Sequence, residues 1–161
     1  MRPTKDEYYL NIALAIAARG TCKRRNYGAV VVVKDEIIST GYSGSPRGTS
    51  NCLDLEDCPR IVQGIPSGER YDLCRSVHAE QNAIISASRA DMIGGTMYIA
   101  GFDMNTHFFV KSNPCYLCIR FIIQAGIEIV KFAQPAPSNP CRNGVNFGIL
   151  NINNMRNDGN G

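Results

Sequence analysis

"YGAVVVVKDEIISTGY" occupies Tyr27 to Tyr42. "YGAVVVVK" is a β-branched run, hence a strand, and "EIISTGY" reads as a second one. The polar pair Lys34–Asp35 makes a short turn between them, so the two form a β-hairpin. Upstream, "TKDEYYLNIALAIAAR" (Thr4–Arg19) reads as a helix. Thr4 and Glu7 have capping-box spacing, Tyr9, Leu10, Ile12, Ala13, Ile16 and Ala17 give a broad apolar face, and Gly20 follows the end. Downstream, a second helix runs from about Val77 to Ala90, and "TMYIAG" (Thr96–Gly101) is a third strand. Residues 102–113 form a connection with room for a short β excursion. "CYLCIRFIIQAG" (Cys115–Gly126) is a third helix and "IEIVKF" (Ile127–Phe132) a fourth strand. A hairpin followed by alternating helices and strands predicts a three-layer α/β/α fold around a mixed sheet.

Between the hairpin and the second helix, residues 43–75 are rich in Gly, Pro, Ser and Cys and show little periodicity. A loop of that length inside a small domain needs something to hold it. From Gln134 onward the chain is rich in Asn, Gly and Pro. The expected organisation is therefore one domain over 1–133 and a loosely ordered tail over 134–161. At 161 residues the chain is long enough for a sizeable core. The net charge of +3 is too mild to make nucleic acid the main partner. No apolar run is long enough to span a bilayer, and "MRPTKDEYYL" lacks the apolar centre of a signal peptide. These features predict a cytoplasmic protein with no membrane association.

The seven cysteines fall at 22, 52, 58, 74, 115, 118 and 141. In a reducing compartment clustered thiols more often bind metal or do chemistry than form disulfides. Cys115 and Cys118 have ligand-type spacing, one helical turn apart. Cys115 and His78 both fall at predicted helix N-termini, where unpaired N–H groups and the helix dipole favour a thiolate. One imidazole and two thiolates suit zinc and leave its fourth position open to water, as in catalytic rather than structural sites. Glu80, beside His78, is placed to act as general base and then acid. The bland alternative is a core histidine with two buried thiols. The full pattern H-x-E then P-C-x-x-C argues against it, being that of zinc nucleobase deaminases.

With those residues in place, the chain resembles the deoxycytidylate (dCMP) deaminase family. The resemblance rests on "TCKRRNYGAVVV" (21–32), "STGYSGSPRG" (39–48), "CRSVHAEQNAI" (74–84), "GGTMYIAG" (94–101) and "NPCYLCIRFIIQAGIEIVKF" (113–132). It implies a cytidine-deaminase-like fold and hydrolysis of dCMP to dUMP and ammonia, supplying dUMP for thymidylate synthesis. It also implies a homo-oligomer, often a hexamer, activated by dCTP and inhibited by dTTP. Zinc ligation is carried onto His78, Cys115 and Cys118, and proton transfer onto Glu80. Some members hold a second, structural zinc, for which Cys22, Cys52, Cys58 and Cys74 are the candidates here; the alternative is that they are unrelated thiols. Ser43 stands where the family has Asn, and its shorter, single-donor side chain predicts altered sugar contact and weakened control. Tyr116 replaces the usual Pro or Ser between the zinc cysteines.

A nucleotide substrate needs a phosphate partner, and arginine forks suit one. Arg24, in the basic run 23–25, Arg47 in the "PRG" turn, and Arg89 on the second helix are candidates, each with solvated surface charge as its alternative reading. Asn82, one turn after His78, either orients the helix start or touches substrate. A deaminase acting on another cytosine nucleotide or nucleoside, or on single-stranded nucleic acid, is the competing function. The last would need a basic groove and stacking aromatics, and the chain has no tryptophan.

Overall fold

The computed structural model describes residues 2–135 and 146–157. Helix α1 spans Lys5–Ala17, and the capping box at its start is present: Glu7 N–H donates to Thr4 Oγ1 (3.2 Å) while Thr4 N–H donates to the Glu7 carboxylate (2.7 Å). Strands β1 (Arg25–Val33) and β2 (Glu36–Tyr42) form the expected antiparallel hairpin. Lys34 and Asp35 both take positive φ (50° and 67°), the backbone that a two-residue turn between twisted strands requires.

The sheet is completed by β3 (Thr96–Asp103), β4 (Ile129–Gln134) and β5 (Asn146–Asn151) in the order β2-β1-β3-β4-β5. Among the described strands only the β3–β4 pair is parallel. Helix α5 (Tyr116–Ala125) makes the crossover between those two strands. Alternation along the strands divides the core between two faces. Val30, Val32, Tyr98 and Ala100 pack against Tyr9, Leu10 and Ala13 of α1. Ala29, Val31, Met97 and Ile99 belong instead to a cluster with Ile122 of α5 and with Ala79 and Ala83 of α3 (Ala79–Ile85). The three-layer mixed α/β fold read from the sequence is the one observed.

Close backbone approach fixes the layers. A Cβ added to Gly28 would lie 2.0 Å from Ala13 O, so only glycine lets α1 settle on β1. Asp6 of α1 is held by the Tyr98 hydroxyl (2.8 Å) and Lys131 (2.7 Å), which ties that helix to the middle of the sheet.

Two expectations change. The helix predicted over 77–90 is two pieces, α3 and a short α4 (Arg89–Met92). Ser86 Oγ bonds back to Asn82 O (2.7 Å), and Ser88 caps the next turn through Asp91 N–H (3.2 Å), so local hydroxyl bonds outcompete helix continuation. The tail expected to be loose from 134 instead adds β5 along the edge of β4, followed by α6 (Ile152–Asn157), whose Ile152 is fully buried. The ladder to β4 supplies an order that the local composition does not advertise. The loop 43–75 carries one short helix, α2 (Pro59–Val62), and two single 3₁₀ turns. It is tied down largely by the basic run before β1: Arg24 Nη1 donates to Ile65 O (2.9 Å), Arg25 Nη1 to Ser67 Oγ (3.2 Å) and Lys23 Nζ to Glu56 O (2.9 Å). The short β excursion expected after β3 is present as a bridge between Phe102 and Phe109.

Candidate functional site

His78 is the N-cap of α3, its extended backbone bridging from the loop into the helix. Its N–H donates to Gln81 Oε1 (3.1 Å), and its carbonyl accepts from Asn82 N–H (3.0 Å). The ring therefore leaves a firmly anchored backbone. Glu80 follows in the first turn and is buried. Cys115 is the N-cap of α5, with Sγ accepting from Cys118 N–H (3.4 Å), and Cys118 lies fully buried one turn on. The N-terminal ends of α3 and α5 meet, which brings these residues together.

His78 Nδ1 lies 3.5 Å from Cys115 Sγ and 3.3 Å from Cys118 Sγ. Among the described residues, this trio is the one His/Cys/Asp/Glu group whose ligand atoms all lie within 4.8 Å of one another. Zinc bonds of about 2.0 Å to nitrogen and 2.3 Å to sulfur at a tetrahedral angle put the donors roughly 3.6 Å apart. The donor set and its spacing fit zinc.

The electrostatics agree. Cys115 is pushed down to about 4, first by the Cys118 thiol donating to it and then by His78, against the opposing effect of burial. Cys118 moves up because it keeps the shared proton and is buried. A cation held between the two sulfurs would draw both as thiolates. Burial opposes the His78 imidazolium, but the Cys115 hydrogen bond and the Glu80 charge leave its pKa raised on balance. Glu80 is raised chiefly by burial, which suits a carboxyl that must both take and give a proton.

His78, Glu80 and Cys115 open on a cavity of about 410 Å³, a size that suits a small organic ligand. Its wall includes Tyr27, Arg60, Tyr71, Lys111 and Asn113. Of the tentative binding residues, Arg24 and Ser43 line it, and Arg47, Asn82 and Arg89 do not. Arg24 spends one nitrogen on Ile65 O (2.9 Å). Ser43 Oγ accepts from Tyr27 N–H (2.9 Å), so it also pins the end of β2 to the start of β1. Asn82 donates to Tyr42 O (2.7 Å), fastening α3 to β2. Arg89 donates to Gln124 O (2.8 Å) at the far end of α5, and Arg47 is exposed. Arg60 and Tyr71 escaped the sequence reading because the loop that carries them has no periodicity. The one signal was that a long loop just ahead of the helix carrying His78 and Glu80 must fold somewhere.

Cys22, Cys52, Cys58 and Cys74 surround a second, small cavity of about 20 Å³ beside the first. They do not reach the mutual spacing of the histidine site. Burial raises the Cys22 pKa, and the Cys74 and Cys52 charges add to the rise. Cys141 lies outside the described residues.

The family model for the cytidine and deoxycytidylate deaminase zinc-binding region matches residues 3–134. The chain belongs to this family. It is 39% identical over 138 residues to the deoxycytidylate deaminase of Mycobacterium phage D29, a match covering 83% of this chain and 97% of that one. It is 34% identical over 134 residues to the deoxycytidylate deaminase of Saccharomyces cerevisiae, where the match spans 83% of this chain but 39% of the yeast protein. Among solved structures, the dCMP deaminase of cyanophage S-TIM5 in complex with dCMP and dUMP superposes with a TM-score of 0.56 at 28% identity, covering 80% of this chain and 79% of that one. The cytidine deaminase of Burkholderia pseudomallei (TM-score 0.54, 15% identity, 92% and 94% covered) shares the deaminase fold.

Proposed function

We propose that this deaminase converts dCMP and water to dUMP and ammonia, the reaction that supplies dUMP for thymidylate synthesis. The observation that carries the reading is the buried Glu80 with the His78–Cys115–Cys118 trio, of which Glu80, His78 and Cys115 line one cavity. Relatives that match over most of this chain bear the same activity in their names.

His78, Cys115 and Cys118 would hold the zinc, with Nδ1 and the two sulfurs as ligands. Bound there, zinc supplies a Lewis acid that makes water acidic enough to attack at neutral pH. Glu80 takes a first proton from the attacking water and passes it to the ring nitrogen, then takes the second from the added hydroxyl and passes it to the departing amine. Its burial keeps bulk water from competing for that proton and raises its basicity. The Tyr71 ring meets the His78 imidazole edge-on (4.6 Å between centroids), which restrains the imidazole's tilt.

The second cysteine set is proposed as a structural zinc site formed by Cys22, Cys52, Cys58 and Cys74, closing around the small cavity and stapling the loop 43–75. Convergence of four thiols from positions far apart in sequence supports it. The family resemblance supports a homo-oligomer, a hexamer by preference, with dCTP and dTTP as effectors. A cytoplasmic location suits free thiols at 22, 52, 58, 74, 115 and 118. No helix among the described residues is long and apolar enough to cross a membrane.

Initial rates against dCMP, deoxycytidine, dCTP and single-stranded DNA test the assignment. Preference for dCMP is expected. Turnover of single-stranded DNA with none of dCMP would replace the mononucleotide reading with an editing one.

A further inference from the structure

Arg60 is 7% exposed, yet among the described residues no carboxylate is its hydrogen-bond or ion-pair partner. Its Nη2 donates to Pro66 O (3.1 Å), and its Nε is buried with no hydrogen-bond partner. A buried guanidinium is ordinarily paired, because an unpaired buried charge costs far more than a paired one. What Arg60 does have is a platform. Its guanidinium carbon lies 4.8 Å from the centroid of the Tyr71 ring, and Tyr71 in turn meets His78 edge-on. The chain Arg60–Tyr71–His78 thus sets a stacked cation in the wall of the catalytic cavity, two side chains from the candidate zinc ligand.

The other cations of that wall are committed or wet. Arg24 holds Ile65 O, and Arg25 is divided between Ser67 Oγ (3.2 Å) and Asp103 (3.5 Å) with a partly exposed side chain. Lys111 is exposed. Arg60 combines burial, an unused donor and a fixed plane, and a planar fork is the group that matches a phosphate's oxygens.

We propose that Arg60, held on the Tyr71 ring, receives the 5′-phosphate of the substrate and so makes this site select a nucleoside monophosphate over the free nucleoside. The proposal rests on the deaminase reading above. Arg60 then gains from the ligand the anion that the fold withholds.

The test compares wild type, Arg60→Lys and Arg60→Gln on dCMP and on deoxycytidine, with dUMP and deoxyuridine binding measured by calorimetry. The ratio of kcat/KM for dCMP over deoxycytidine should fall about 100-fold in Arg60→Gln, the loss of charge-assisted hydrogen bonds to one anion. It should fall less in Arg60→Lys, which keeps charge without the fork. Most of the loss should appear in KM, and dUMP affinity should weaken while deoxyuridine affinity moves little. A ratio unchanged in both variants overturns the proposal, as does an equal loss on both substrates, which marks Arg60 as a support for the loop. Should Arg60→Gln not fold, the Arg60→Lys ratio decides. If wild type turns over neither substrate, the deaminase reading is what has failed. Phosphate reading by Arg60 then stands or falls on whether Arg60→Lys weakens dUMP binding relative to deoxyuridine.

Discussion

Gly41 of β2 touches the backbone of Ala83: a Cβ at Gly41 would stand 2.3 Å from Ala83 N and 2.4 Å from Ala79 O. That contact sets how close α3 lies to the sheet. It therefore sets where His78 and Glu80 stand relative to Cys115 and Cys118 on the neighbouring helix.

Gly41→Ala should lift α3 and loosen the metal site. Overpacking of this kind costs about 1–3 kcal/mol. The expected result is a melting temperature lower by several degrees, together with zinc that a chelator removes faster than from wild type. Unchanged melting and unchanged zinc release would show that α3 shifts without strain.

Glu80→Gln should keep fold and zinc while turnover drops on the order of 100-fold or more, the usual size of an acid–base contribution. Glutamine preserves shape but cannot take the water's proton. Zinc content by elemental analysis and single-turnover rates on dCMP decide it. Near-wild-type rates in a zinc-replete variant would remove Glu80 from the chemistry.

These four residues were legible because each belongs to a short motif at a helix start, where local backbone geometry aims the side chain. Capping at Thr4, the Lys34–Asp35 turn and the β-branched run of β1 were legible for the same local reason. Arg60 and Tyr71 were not, since long-range hydrogen bonds from Arg24, Arg25 and Lys23 fold the loop that carries them. Strand β5 was hidden in an Asn- and Gly-rich stretch, and its order comes from the ladder to β4. Asn82, readable either as orienting the helix start or as touching substrate, donates to Tyr42 O and so fastens α3 to β2.

Zinc content should be near two ions per chain in protein purified without chelator. Cys52→Ser and Cys74→Ser should each lower it toward one and make the 43–75 loop easier to cleave with protease. Removing a ligand from a closed site costs most of the binding energy it supplied to folding. Cys115→Ser should instead remove the catalytic ion and the activity together. A content near one that the Cys52 and Cys74 variants leave untouched would show those thiols to be bystanders.

Effector control should be weak. Regulation needs a site that tells dCTP from dTTP and an element with two arrangements between subunits. By the family resemblance Ser43 stands in place of an Asn; it lines the cavity, and its hydroxyl already accepts from Tyr27 N–H. Little of it remains to read a second nucleotide. Arg47, in the same turn, is exposed and lies outside that cavity. Losing one hydrogen bond to a charged or buried partner costs about 1–3 kcal/mol, as much as a whole coupling energy. Initial rates against dCMP should therefore be close to hyperbolic, with dCTP and dTTP changing them by a few-fold at most. Ser43→Asn adds an amide and tests the converse. If that variant gains a sigmoidal response that dCTP relieves, the turn is where control is read and serine is what silences it. A wild-type curve already strongly sigmoidal and shut off by dTTP would place regulation elsewhere in the assembly.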